Sequence, residues 1–227
     1  MRKLLIALGI LVVLLVIIDR IALVLAEDQI SSRIASAYDL PADPGVSIAG
    51  FPFLTQVVSG DYGQINVTAN QVQADGATLH DLSVRLTNVH ASISQVLGSG
   101  TSTVTAGQAT GSALVNFATV DQRLPHGLRV TSAGKNLMVS GKVSYHGIRV
   151  PVSGAVGLNV SDAGITVTPK NVSVAGGLNL PLADLTQLKF LVPLGNLPLH
   201  LHLTSVRVTP AGLRISAAAR NVQFARG

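Results

Sequence analysis

Apolar and polar positions change rhythm twice along this chain of 227 residues. From Leu4 to Ile18 no charged or hydrogen-bonding side chain occurs, Asp19 and Arg20 interrupt the run, and Ile21 to Ala26 resume it. Leu23, Ala26, Ile30, Ile34, Ala37 and Tyr38 then recur at three- and four-residue intervals, with Glu27, Asp28, Ser31, Ser32 and Arg33 between them. That spacing predicts an outward continuation of the same helix with one apolar face, suited to packing on a sheet. Pro41-Ala42-Asp43-Pro44-Gly45 ends it as a short linker.

After the linker, period two takes over. Ile65-Asn66-Val67-Thr68-Ala69, Leu82-Ser83-Val84-Arg85-Leu86, Val139-Ser140-Gly141-Lys142-Val143 and Ile165-Thr166-Val167-Thr168 alternate apolar and polar positions, as half-buried antiparallel strands do. Gly127, Gly164 and Gly212 each stand just before such a stretch, which predicts a meander of hairpins. Two segments break the alternation: 115–124, where Phe117, Val120 and Leu124 have helical spacing, and 185–191, which also reads as a short helix. Gly98 to Thr103 has the composition of a flexible loop. The expectation is an α+β fold, mostly antiparallel, preceded by an N-terminal transmembrane or signal helix.

Arg2 and Lys3 ahead of the apolar run mark an export signal whose basic end stays cytoplasmic. Two readings are open. The run 4–18 is about 22 Å long as a helix, short of a hydrocarbon core of about 30 Å, and Val24-Leu25-Ala26 offers a signal-peptidase site that would release a chain starting at Glu27. Leu4 to Ala26 taken as one helix spans the core, with Leu4, Leu11 and Ile18 in the anchor, Arg20 snorkelling and Asp19 pairing near the outer headgroups. Either way residues 1–26 are the anchor or signal and 27–227 one extracytoplasmic domain.

Composition sharpens the picture. Hydrophobic residues make up 48% of the chain and charged residues 12%, about half the usual charged share. The strands therefore form more apolar face than one helix covers, and an internal apolar groove reconciles the two numbers. Absence of cysteine excludes disulfides, thiolate metal sites and a lipidated cysteine anchor. The net charge of +5 is uneven: residues 27 to 122 carry two basic and eight acidic side chains, residues 123 to 227 eleven and two. A basic C-terminal half suits anionic headgroups.

Aromatic residues are 4% of the chain, yet two of the five phenylalanines flank Pro52 in Gly50-Phe51-Pro52-Phe53-Leu54-Thr55-Gln56-Val57-Val58. Proline fixes its own φ and biases Phe51 towards extended geometry, so the rings sit on a stiff corner after the alternating Val46-Ser47-Ile48. Such a corner either plugs a core or touches acyl chains through Phe51, Pro52, Phe53, Leu54, Val57 and Val58. The order Gly-Phe-Pro-Phe-Leu-Thr-Gln followed by Gly60 and Tyr62 resembles the signature of the LmeA-like phospholipid-binding family of the actinobacterial cell envelope. The resemblance implies a tubular lipid-binding type of fold, a long curled β-sheet packed around a helix, which holds phospholipid and supports assembly of mannose-containing envelope glycolipids.

Reactive constellations are sparse. Ser132-Ala133-Gly134-Lys135 has an acyl-enzyme spacing but lies at a turn between strands. His200 and His202 share a strand face without a third metal ligand, and His80 and Asp81 face opposite ways on a strand. No phosphate-cradling glycine loop occurs, and the basic residues lack interleaved aromatics, which argues against nucleic acid. Arg207, Arg214 and Arg220 on the last strands are the candidate headgroup contacts. The expected function is non-enzymatic phospholipid binding at the outer face of the cytoplasmic membrane, without cofactor or metal, the lipid anionic by charge balance and the partners envelope-assembly proteins. The alternative is a membrane-anchored envelope scaffold with a closed β core.

Overall fold

A computed structural model describes residues 2–74, 77–92, 104–122, 124, 127–145, 148–161, 164–174, 190–192 and 201–224. The apolar run and its amphipathic continuation form a single helix, α1 (Arg2–Ala37). At 36 residues it is about 54 Å long, and it is apolar enough to cross a membrane. Among the described residues, eleven strands and two short helices follow: β1 (Gly45–Ala49), α2 (Phe53–Ser59), β2 (Asp61–Ala74), β3 (Ala77–His90), β4 (Val104–Asn116), α3 (Phe117–Asp121), β5 (Leu128–Ala133), β6 (Asn136–Tyr145), β7 (Ile148–Ser161), β8 (Gly164–Val174), β9 (Phe190–Val192), β10 (His202–Thr209) and β11 (Gly212–Phe224).

The fold is α+β, with the strands in two open sheets: β1-β2-β3-β4-β11-β10 and β5-β6-β7-β8-β9. The second is a pure meander, and each of Gly127, Gly164 and Gly212 stands where a strand begins, as the alternation predicted. The helix expected over 115–124 is α3, whose first turn is capped by the Asn116 side chain accepting from the Thr119 N–H at 2.8 Å. Of the helix expected over 185–191, Phe190 and Leu191 belong instead to β9, which pairs with Ile165, Thr166 and Val167 of β8; positions 185–189 lie outside the described residues. A short apolar run suits a buried strand as well as a helix, and available strand pairing decides. The 98–103 loop also lies outside the described residues.

The chain forms two compact units. The first takes residues 1–70, 83–110 and 219–227, and thus α1, β1 and α2 with the adjoining parts of β2, β3, β4 and β11. In it α1 packs on β1 and on α2. Val46 and Ile48 of β1 pair with Val67 and Ile65 of β2, stacking apolar side chains on one face. The second unit takes residues 71–82 and 111–218 and holds a buried core that includes Leu128, Val130, Leu137, Val139, Val152, Val156, Val167 and Leu213. Those positions alternate along β5 to β8, which is why the period-two stretches there close into a conventional core. In the first unit, Ile65, Val67, Val84 and Leu86 are only half-buried.

Candidate functional site

The Gly50–Val58 corner is built by three ties between α1 and the chain that returns along it. The Ser31 hydroxyl donates to the Pro44 carbonyl, the Ile48 N–H donates to Glu27 Oε1 at 2.7 Å, and the Leu54 N–H donates to Asp19 Oδ1 at 2.8 Å. Positions 31, 27 and 19 on α1 thus meet 44, 48 and 54 in turn. The strand β1 runs antiparallel to the helix and delivers the corner to the middle of α1, beside Asp19 and Arg20.

There the chain forms α2. Pro52 occupies the N-cap position and offers no side-chain cap, so the free amides of the first turn need an acceptor from elsewhere. Asp19 supplies it. Its carboxylate is 2% exposed, and its other oxygen accepts from Arg20, whose Nε lies at 3.1 Å. A carboxylate at a helix N-terminus is favoured by the partial positive charge of the amides. The Arg20 guanidinium carbon in turn sits 5.1 Å from the centroid of the Phe51 ring, within cation–π range.

Two glycines of the motif follow from this geometry. Gly50 has φ +114°, and a β-carbon there would meet Gln56 Nε2 at 2.7 Å, so the Gln56 carboxamide lies against a backbone that only glycine leaves open. Gly60 ends α2 in the left-handed conformation, φ 76°, with its N–H donating to the Gln56 carbonyl at 2.8 Å. Its own carbonyl accepts from the Ala91 N–H at 2.8 Å, tying the end of α2 to the far end of β3. Gln56 Nε2 and the Tyr62 hydroxyl are buried without a hydrogen-bond partner among the described residues. Burial pushes the Tyr62 phenol above its ordinary pKa.

The corner divides its apolar residues. Phe53 is 4% exposed and belongs to the core. Leu54 and Val57 are half-buried, Pro52 is exposed, and Phe51 and Val58 are 63% and 87% exposed. The structure thus separates the two rings that the sequence places side by side: one plugs, the other projects. Two open hollows lie along α1, one of them lined by Arg20, Ile21, Val24 and Leu25.

A family model for LmeA-like phospholipid-binding proteins matches residues 17–218. The chain belongs to this family. The LmeA-like match starts two residues before Asp19, so it includes the Asp19-Arg20 pair, α2 and all the strands except the end of β11. Among curated proteins and among solved structures, no significant match to the chain is found.

The remaining candidates of the LmeA-like chain are placed as follows. Arg207 of β10 and Arg214 of β11 stand directly opposite each other in the register, and Arg214 Nη2 lies 3.5 Å from Asp81 Oδ2. Arg220 is exposed further along β11, in the first unit. Leu4, Leu11 and Ile18 are exposed along α1. Ser132 lies near the end of β5 and Lys135 in the β5–β6 turn, with no helix to bring them together. No group of three His, Asp or Glu side chains among the described residues stands close enough to hold a metal ion; His200 lies outside them. An exposed pair between His90 Nδ1 and Asp61 joins β3 to the start of β2 and was not legible from spacing, because 29 positions separate its members.

Proposed function

We propose that this protein is a non-enzymatic phospholipid-binding protein, held by α1 at the outer face of the cytoplasmic membrane, with residues 27–227 as its lipid-binding domain. The observation that carries the proposal is the LmeA-like match over residues 17–218. Physical support comes from the first unit, where apolar side chains of β2 and β3 stay half-covered, in contrast to the buried cluster of the second unit. Each methylene of an acyl chain moved onto such a surface contributes about 0.8 kcal/mol, so a few methylenes outweigh one headgroup contact of about 1 kcal/mol. Of the apolar residues of the corner, Phe51, Pro52, Leu54, Val57 and Val58 are assigned to the acyl chains in this reading, while Phe53, buried in the core, holds the corner in place behind them. Arg207, Arg214 and Arg220 are assigned to an anionic headgroup. A supporting role in envelope glycolipid assembly, together with envelope-assembly proteins, follows from the family resemblance.

Native mass spectrometry of protein extracted from membranes in mild detergent tests the proposal. Co-purified phospholipid, retained when the detergent is exchanged, is the expected result. A lipid-free protein that also takes up no phospholipid from vesicles overturns it and leaves the envelope scaffold.

A further inference from the structure

We infer that the corner formed by Phe51 and α2 is a second membrane contact, a foot seated in the headgroup–acyl boundary of the leaflet from which α1 emerges. The inference rests on reading α1 as a retained membrane anchor. Its first support is the extent of the exposed apolar belt. That belt does not stop at Asp19: Ile21, Val24 and Leu25 are as exposed as Leu4 to Ile18. From Leu4 to Leu25 the helix rises about 32 Å, one hydrocarbon thickness. Asp19 then lies about 9 Å below the outer edge of the belt, and the corner is hydrogen-bonded to Asp19 itself. A segment tied at that height meets the bilayer, and interfacial segments bury their apolar face about 5–10 Å into this boundary.

The second support is how the charges at that level are satisfied. A carboxylate and a guanidinium inside the belt are costly unless each has partners. Asp19 has the Leu54 amide and Arg20, and Arg20 has Asp19 and the face of the Phe51 ring. The foot is therefore what makes this dyad tolerable at that depth. The apolar groups it leaves uncovered, Phe51 and Val58, are the ones a bilayer would cover. The tie also bears on processing. A chain cut after Ala26 would begin at Glu27 without Asp19 and Arg20, so α2 would lose its cap and Phe51 its cation–π partner.

The chain has no tryptophan, so single tryptophans report position directly. The full-length variants Leu11→Trp, Phe51→Trp, Val58→Trp and Asn70→Trp are reconstituted in phosphatidylcholine–phosphatidylglycerol vesicles with and without acyl-brominated lipid. Asn70 is exposed on β2, just past the Thr68 that pairs with Gly45, and so lies near the Ser31 level of α1, about 18 Å along the helix from Asp19. Expected are blue-shifted, bromine-quenched emission from positions 11, 51 and 58, and unquenched emission from 70. If position 11 is quenched while 51 and 58 behave like 70, the foot is wrong and the anchor stands. If 70 is quenched as strongly as 58, no foot is distinguished and the inference fails. Emission from position 11 that bromine leaves unchanged removes the anchor and the foot together.

Discussion

Asp19 accepts the backbone N–H of Leu54 at 2.8 Å, so the first turn of α2 is capped by a side chain 35 positions earlier in the chain. The tie makes the end of the apolar run and the phenylalanine corner one structural object. Replacing Asp19 by alanine is expected to strip hydrogen-exchange protection from the Leu54 amide and to loosen α2, while Asp19→Asn, which keeps an acceptor oxygen, retains most of it. Amide exchange in detergent micelles measures both, and equal protection in all three proteins would refute the capping role.

Gly50 carries two separable constraints, its positive φ and the Gln56 carboxamide that fills the place of a side chain. Gly50→Ala is expected to destabilise by more than about 1 kcal/mol, since both act against a β-carbon. Adding Gln56→Ala removes the collision but not the strained φ, so thermal unfolding of the double variant should recover part of the loss. Full recovery would show that the backbone angle costs nothing.

The two-part helix α1 and the strands that alternate regularly, such as β2, β3, β6 and β8, were legible because each repeats its pattern long enough to be counted, and the helix at Phe117 because it breaks the alternation; β9, three residues in an apolar run, read as helix instead. α2 was not. Seven residues starting from an extended proline give two turns at most, and its capping residue is remote, so neither periodicity nor a local cap signal marks it. The corner's chemistry was half legible for the same reason: composition singled out Phe51 and Phe53, but only the helix between Pro52 and Gly60 decides that one ring turns inward and the other outward. Long-range pairs such as Arg214 with Asp81, 133 positions apart, leave no trace in spacing. The shortage of charge was readable as a total, and which strand positions stay half-covered, as Ile65, Val67, Val84 and Leu86 do, was not, because burial depends on which neighbour covers each strand face.

Tyr62 is 4% exposed and its hydroxyl has no partner among the described residues. A buried unpaired hydroxyl costs about 1–3 kcal/mol, so Tyr62→Phe is expected to raise the Tm. Burial raises the phenol pKa, and a raised folded pKa means the stability is complete below the unfolded value, about 10, and is lost as pH climbs towards the folded one. Wild type should therefore weaken above that pH more steeply than Tyr62→Phe. A variant that melts earlier at neutral pH would mean that the hydroxyl has a partner after all.

Phe51 and Phe53 should give opposite phenotypes. Truncating buried Phe53 to alanine is expected to cost about 3–5 kcal/mol. Truncating Phe51 forfeits only its stacking with Arg20, about 1 kcal/mol or less, and should reduce phospholipid uptake from vesicles in a protein that still folds. Unchanged uptake by Phe51→Ala would remove the projecting ring from the lipid site.

Arg207 and Arg214 face each other across the β10–β11 pair, and like charges directly opposite are destabilising. Asp81 offsets only Arg214, through a partly exposed contact at 3.5 Å that is worth little. Stability alone does not favour Arg207, which suits a pair kept for an anionic ligand. Arg207→Gln is therefore expected to leave the Tm unchanged or slightly higher while weakening binding to phosphatidylglycerol vesicles relative to phosphatidylcholine. Wild-type preference should fade as salt screens the pair. Co-sedimentation at low and high salt measures this, and an anionic preference that survives in Arg207→Gln would leave the pair as solvated surface charge.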